Sequence, residues 1–117
     1  MNNYQEIRNA AVGVGWIDIV IELDLQLEAL DPGYTIQQVK EKFGGLRYYY
    51  GPTEGATALT RAAMEVYIEK AERICECTCE TCGNSGEFRG GGWLRTLCDT
   101  CEADYQVKRF LGEGGLA

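Results

Sequence analysis

The apolar residues of the segment from Trp16 to Leu30 (WIDIVIELDLQLEAL) fit two different periods. Six of them fall at every second position, as in a strand: Ile17, Ile19, Ile21, Leu23, Leu25 and Leu27. Helical spacing is also met, by Trp16, Val20, Leu23, Leu27 and Leu30. Fifteen residues are long for a strand and ordinary for a helix, and Asp31-Pro32-Gly33 supplies a stop. We therefore predict a helix over 16–30, with a strand as the alternative.

Two β-prone runs follow, TIQQVKEKF over 35–43 and LRYYY over 46–50, and a Gly44-Gly45 pair separates them. A glycine pair between such runs is typical of a two-residue hairpin turn. Strand alternation then places Tyr48 and Tyr50 on one face of the hairpin and Arg47 and Tyr49 on the other. We expect one of these aromatic faces to pack against the helices.

A second helix is predicted over 56–74, where Ala, Met, Glu and Lys dominate. One apolar stripe recurs there at helical spacing: Leu59, Ala62, Ala63, Val66, Tyr67, Ala71 and Ile74. The first ten residues are a polar lead-in with room for a short helix. Near the other end, the sequence predicts a short amphipathic helix over 102–111, followed by a glycine-rich tail.

Four of the six cysteines have the spacing C-x2-C-x15-C-x2-C, formed by Cys79, Cys82, Cys98 and Cys101. This spacing is typical of a zinc ribbon, in which two knuckles bring four thiolates to the corners of a tetrahedron. The fifteen residues between the knuckles hold two short β-runs on either side of a triple glycine, which predicts a hairpin. Reduced cysteines that simply pack, a redox dithiol and an iron–sulfur site are the alternatives.

A site closed by four thiolates has no free coordination position, so one structural Zn²⁺ is expected there rather than a catalytic one. Cys75 and Cys77 lie just before this motif. We interpret them as reduced thiols near the end of the second helix. The alternatives are spare ligands, a second partial site, a redox pair, or a shifted metal register that uses Cys77 and Cys82.

Composition and charge exclude several classes of function. The 117 residues include 18 acidic and 11 basic side chains, which gives a formal charge of −7. That charge argues against non-specific binding to nucleic acid or to an anionic membrane. The chain has no histidine, which excludes Ser-His-Asp and Cys-His catalysis, His-ligated catalytic zinc and a histidine pH switch. We therefore do not expect an enzyme.

The sequence also bears on location. The first residues lack the basic start and the unbroken apolar run of a signal peptide. Since no run approaches the roughly 18 apolar residues of a membrane span, a cytoplasmic protein is expected. Clustered cysteines in a reducing cytosol bind metal more often than they form disulfides.

Three groups of charged side chains are candidate interaction surfaces. The hairpin interleaves bases and aromatics, and we predict a partner-binding surface at Lys40, Lys42, Arg47 and Tyr49. Single-stranded nucleic acid is the alternative ligand there. A solvated helix face is the expectation for Asp18, Glu22, Asp24 and Glu28, and mimicry of a phosphate backbone is the alternative. Mild local basic character comes from Arg89, Arg95, Lys108 and Arg109.

Several segments together resemble a family of small uncharacterised proteins encoded by phages and prophages, over roughly residues 15–101. The matching segments are Gly15-Trp16, Leu30-Asp31-Pro32, QVKEKFGGLR over 38–47, CETCG over 79–83 and GWLRTLC over 92–98. Members of that family often carry His where this chain has Cys101, which keeps four ligands. The resemblance implies a viral accessory protein, implies no particular activity, and does not extend to Cys75 or Cys77.

The sequence thus predicts an α+β protein. A helix and a β-hairpin pack on a long helix in a core over 1–74, and a zinc-ribbon module with a short helix occupies 75–117. The expected function is binding to a host protein, such as inhibition of an antiviral defence component. The alternative is a nucleic-acid- or transcription-associated zinc ribbon, which the net charge disfavours.

Overall fold

A computed structural model describes residues 3–112 of the chain, and the predicted glycine-rich tail over 113–117 lies outside them. The described residues form four helices and two antiparallel hairpins, which confirms the α+β class. In chain order the elements are α1 (Tyr4–Arg8), α2 (Val14–Leu30), β1 (Thr35–Lys42), β2 (Gly45–Gly51), α3 (Ala58–Glu76), β3 (Glu87–Arg89), β4 (Arg95–Leu97) and α4 (Asp99–Phe110).

The ambiguous apolar segment is helical, so the helix prediction is confirmed and the strand alternative is wrong. The buried side chains of α2 are the helical set Trp16, Val20, Leu23 and Leu27. The helix ends at Asp31, whose carboxylate accepts hydrogen bonds from the backbone N–H and the hydroxyl of Thr53, at 2.8 and 2.6 Å. The C-terminal end of α2 is thereby fixed to the loop that leads into α3.

The first hairpin has the predicted faces but not the predicted turn. Lys42 pairs with Gly45, so the two turn residues are Phe43 and Gly44, one position earlier than expected. Both have positive φ, 57° and 80°, as a type I′ turn requires to match the twist of its strands. This register sets Val39 opposite Tyr48, and both are buried.

The predicted apolar stripe of the long helix is partly wrong. The residues of α3 that are buried are Met64, Ile68, Ala71 and Cys75, which also recur at helical spacing. Leu59 and Val66, which belonged to the predicted stripe, are 81% and 62% exposed. Because α2 and β2 both pack on the same side of α3, tertiary contact selects one of two overlapping apolar sets.

A hydrogen-bonded network joins α2 to the sheet. The Tyr34 hydroxyl donates to Asp24 at 2.6 Å and lies 2.6 Å from the Tyr48 hydroxyl. Asn3 also donates to Asp24, at 3.0 Å. The prediction of a solvated acid is therefore wrong for Asp24. Burial raises the pKa of both tyrosines, so both hydroxyls keep their protons and remain available as hydrogen-bond donors.

The second hairpin, formed by β3 and β4, lies against the core rather than apart from it. Thr96, in the middle of β4, donates its hydroxyl hydrogen to the Gly44 carbonyl at 2.8 Å, which joins the second hairpin to the turn of the first. The indole N–H of the fully buried Trp16 donates to the Thr78 carbonyl at 2.8 Å. Within residues 3–112, none of the helices has the length and apolar content that crossing a membrane requires.

Candidate metal centre

The first cysteine knuckle is a tight turn that follows α3. The Gly83 N–H donates to the Cys79 carbonyl at 3.0 Å, and Gly83 has a φ of 86°. Only glycine adopts this left-handed conformation at low free-energy cost. The glycine that ends the CETCG motif therefore predicts the turn. Cys79 is buried and Cys82 is exposed, so the turn presents one inner and one outer sulfur.

The second knuckle is the start of a helix. Cys98 is the N-cap of α4, and its sulfur accepts a hydrogen bond from the Cys101 N–H at 3.3 Å. The helix therefore begins three residues earlier than predicted, and Cys101 lies in its first turn. The positive end of the helix dipole faces the sulfurs, which favours thiolate over thiol.

The four sulfur atoms of Cys79, Cys82, Cys98 and Cys101 all lie within 4.8 Å of one another. A tetrahedron with Zn–S bonds of about 2.3 Å has sulfur–sulfur edges of about 3.8 Å. The Cys82 and Cys98 sulfurs are 3.7 Å apart, which fits that edge. None of the six cysteines forms a disulfide. The cluster can therefore hold a metal ion with four sulfur ligands.

The thiol pKa values show how backbone groups favour charge on sulfur. Burial alone would raise the pKa of Cys79, but backbone hydrogen bonds from Cys98, Cys82 and Thr81 outweigh it and lower that pKa to about 6. The pKa values of two neighbouring thiols, Cys82 and Cys101, are raised instead. The hydrogen bond with Cys98 and burial raise the pKa of Cys101 to about 12. A divalent cation would counter these rises, because metal binding releases the remaining thiol protons.

Glu80, the residue after the first ligand, fastens this knuckle to β4. Its side chain is 6% exposed and accepts a hydrogen bond from the Thr96 N–H at 2.7 Å. Its own N–H donates to the Thr96 carbonyl at 2.9 Å. Burial raises the pKa of Glu80 and the Thr96 N–H opposes that rise. The Glu80 carboxylate and the Glu80 N–H thus provide two hydrogen bonds between the knuckle and β4.

Arg95 ties β4 to α4. Its side chain is 4% exposed and pairs with Glu102 at 2.7 Å, and this pairing lowers the pKa of Glu102. The guanidinium carbon lies 5.4 Å from the Trp93 ring centre and 4.6 Å from that of Tyr105. The two rings also contact each other edge to face, with centres 4.8 Å apart. A planar cation lying against both rings is suited to rigid packing, so Arg95 supports the helix that carries Cys101.

The ribbon's basic residues are largely engaged with its own acceptors. Arg89 donates to the Asp99 carboxylate at 2.8 Å and to the Leu97 carbonyl at 3.0 Å. Lys108 pairs with Asp104 at 3.1 Å. Together with buried Arg95, this arrangement removes three of the four bases that gave the ribbon its local basic character.

The two extra cysteines occupy different environments. Cys75 is fully buried in the core, where burial and the nearby Glu72, Glu80 and Glu76 raise its pKa to about 12. Cys77 is exposed at the C-cap of α3. Among the described residues the sulfur cluster contains neither of them. Cys75 packs as a small apolar side chain, as interpreted from the sequence.

The predicted partner-binding residues lie together on the outer face of the first hairpin. Lys40 pairs directly with Arg47 across the strands, and Lys42 is opposite Gly45 on the same face. The Lys40 ammonium lies 5.9 Å from the ring centre of Tyr49, which is 45% exposed. Three cations and one aromatic ring therefore share a solvent-facing surface, which we call the hairpin face (Lys40, Lys42, Arg47 and Tyr49).

Three residues that support the metal centre were not identified from the sequence: Gly15, Trp16 and Glu80. Gly15 approaches the first knuckle closely, and its N–H donates to the Glu80 carbonyl at 2.7 Å. Trp16 and Glu80 were recognisable only as an apolar and an acidic residue. A GW pair at a helix start is the one signal that was available, since glycine there suggests a close approach of two backbones.

Comparison of the chain with models of protein families, with curated proteins and with solved structures finds no match.

Proposed function

We propose that the four-cysteine cluster binds one structural Zn²⁺ and that the protein acts by binding another protein. The observation that carries the first part is the mutual approach of four sulfur atoms within 4.8 Å. Four sulfur donors in a tetrahedral arrangement favour zinc or iron–sulfur chemistry, and isolated ribbons of this spacing favour zinc. With all four positions taken by protein, the ion stabilises the ribbon and is not a catalyst.

Metal analysis of the protein purified under reducing conditions tests this first part. One equivalent of zinc per chain, and none in the C98S variant, is the expected result. The C77S variant is the matched control, because Cys77 lies outside the cluster, and it should keep its zinc. Iron in place of zinc, or equal loss of metal from both variants, would contradict the assignment.

The hairpin face supports the second part. Like charges directly opposite each other in a ladder are destabilising, yet Lys40 and Arg47 face each other across the strands. On a chain with a formal charge of −7, such a cluster of cations is a local exception. Glu72 of α3 offsets part of the charge of Arg47, and an acidic partner would neutralise the remaining cations.

Phe43 at the hairpin tip adds a second support. Its φ is 57° and its side chain is 62% exposed. A bulky residue in the left-handed region is strained by about 1–2 kcal/mol. Because the Phe43 ring is mostly exposed, hydrophobic burial offsets little of that strain energy. Strain held at an exposed aromatic is typical of a residue kept for binding, so we include Phe43 in the partner contact.

The partner we propose is a host protein with an acidic surface, bound and inhibited by a phage-encoded accessory protein. The resemblance of residues 15–101 to phage and prophage proteins supports the viral setting. Nucleic acid is the weaker candidate. DNA carries one negative charge per ~1.7 Å of its axis, and a four-thiolate zinc site adds −2 to the formal charge of −7. Within the ribbon, moreover, acids pair with Arg89, Arg95 and Lys108.

Affinity capture from nuclease-treated lysate of the natural host, read by mass spectrometry, tests the binding proposal. The R47A/Y49A double variant should lose the captured protein. K108A is the matched control, because it also removes an exposed cation, and it should retain the captured protein. Capture that survives in R47A/Y49A would exclude the hairpin face. Recovery of nucleic acid alone, lost on nuclease treatment, would favour the nucleic-acid reading.

A further inference from the structure

Helix α2 has a second apolar face, opposite the one that forms the core. Val14, Ile21 and Leu25 are 81%, 41% and 60% exposed, and Ile17 is half-buried between them. At 100° per residue these four side chains form one stripe along the helix. We call it the outer stripe (Val14, Ile17, Ile21 and Leu25). A helix that is apolar on all sides normally has packing partners on all sides.

Acidic side chains border the outer stripe. Asp18 and Glu22 lie on one side of it, and Glu28 lies within it, between Ile17 and Ile21 around the helix axis. Asp24, on the other side, accepts hydrogen bonds from Tyr34 and Asn3. The helix carries no basic residue. Within residues 3–112, none of these four carboxylates forms an ion pair with Lys or Arg. The surface therefore presents an apolar strip beside the exposed carboxylates of Asp18, Glu22 and Glu28.

A groove continues this surface toward α3. It has a volume of about 360 Å³, its apolar walls include Ile19, Tyr67 and Ile74, and its charged lining consists of Asp18, Glu22 and Lys70. Ile74 is 44% exposed at its edge. A side chain projecting from a ligand laid along α2 would find an apolar pocket there, and the two acids outnumber Lys70, which leaves a net negative charge to hold a cationic end group.

We propose that the outer stripe of α2 binds an amphipathic helix with a basic polar face from a partner protein. A 17-residue helix is about 25 Å long, which matches the four to five turns of a typical docked helix with anchors at i, i+3, i+4 and i+7. Lys and Arg beside those anchors would meet the flanking carboxylates. This contact is separate from the hairpin face and does not depend on the function proposed for it.

A second copy of the chain is a poorer occupant. Two α2 helices packed through their outer stripes would bring together two sets of three exposed carboxylates, those of Asp18, Glu22 and Glu28, with no base on either helix. Like charges placed together at an interface select against that pairing. Charge complementarity therefore favours a basic partner.

The test uses the zinc-loaded full chain and a labelled peptide of two Leu/Lys heptads, with fluorescence anisotropy as the readout. An otherwise identical Leu/Glu peptide is the control ligand. The Leu/Lys peptide should bind and the Leu/Glu peptide should not. The L25K variant should weaken binding by about tenfold or more, because it places a charge at an anchor and repels the basic ligand. V107K is the matched control, since Val107 is 56% exposed on α4, and it should bind normally.

Binding to D18N/E22Q separates specific docking from general attraction to an acidic protein. This variant should lose affinity and much of its salt dependence, whereas E87Q, which removes an exposed acid of the ribbon, should change neither. Thermal unfolding of each variant establishes that it is folded. Equal binding to L25K and V107K would overturn the proposal. Self-association of the free protein that L25K abolishes would assign the outer stripe to a second copy, and would overturn it too.

Discussion

Replacement of Gly15 by Ala tests how the metal centre is joined to the core. A methyl group there would overlap the Cys79 carbonyl oxygen and lie 2.5 Å from the Gly83 nitrogen and 2.8 Å from the Glu80 carbonyl carbon. All of these are backbone atoms of the first knuckle, so no side chain can swing away. Either α2 or the knuckle must move.

The cost follows from the contacts that would be lost. Overpacking a close contact costs about 1–3 kcal/mol. Movement would also break the hydrogen bond from Gly15 to Glu80 and the one from Trp16 to Thr78, each of which contributes about 1 kcal/mol. We expect the free energy of unfolding to fall by about 3–5 kcal/mol, out of the 5–15 kcal/mol that is usual for a domain. The melting temperature should fall by about 10–20 °C.

Urea unfolding of the zinc-loaded protein, followed by circular dichroism, measures the loss. Competition with a chromogenic chelator measures the zinc affinity, which should also fall because the same displacement moves Cys79. Gly55→Ala is the control, since a methyl group at Gly55 would meet no atom within 4 Å, and its effect should stay within about 0.5 kcal/mol. A G15A protein as stable as G55A, with unchanged zinc affinity, would refute the docking of the knuckle on α2.

Three further changes have expected outcomes. Cys98→Ser should abolish zinc binding and unfold the ribbon while circular dichroism retains most of the helical signal of α2 and α3; zinc retention at full stability would contradict the four-ligand assignment. Phe43→Asn should raise the free energy of unfolding by about 1 kcal/mol, because Asn tolerates positive φ, while it weakens partner capture; a less stable variant would show that Phe43 is not strained. Raised pH should destabilise the protein, because the folded state holds the pKa of Cys75 near 12 against an ordinary 9.0, and that of Tyr50 near 12 against 10.0. Both shifts favour the protonated form, so their contribution is complete below about pH 9 and is lost as pH rises toward 12; alkaline unfolding of Cys75→Ala should show a shallower dependence on pH.

Periodicity predicted which elements form, because secondary structure is local. The helices and the first hairpin appear close to their predicted positions. The turn was misplaced by one residue, since a glycine pair does not show which two residues take positive φ. Phe43 occupies a position that sequence preference assigns to Asn or Gly, and only the pairing of Lys42 with Gly45 reveals it.

The metal centre was also predictable only in part. Cysteine spacing identified four residues whose sulfurs the structure brings together, because two knuckles and a hairpin are short-range features of the chain. Their supports are long-range contacts. Trp16 reaches Thr78 across 62 residues, and Thr96 reaches Gly44 across 52. No local pattern specifies such pairs.

The sequence by itself determined the α+β class, the cysteine cluster and the two faces of the first hairpin, since each follows from spacing along the chain. The tertiary structure decided which of two apolar stripes on α3 is buried, that the bases of the ribbon are paired, and that α2 keeps a second apolar face exposed. These outcomes depend on which surfaces meet. Burial is a property of the packed arrangement. When a helix has two apolar faces, the elements that pack against it determine which face is buried.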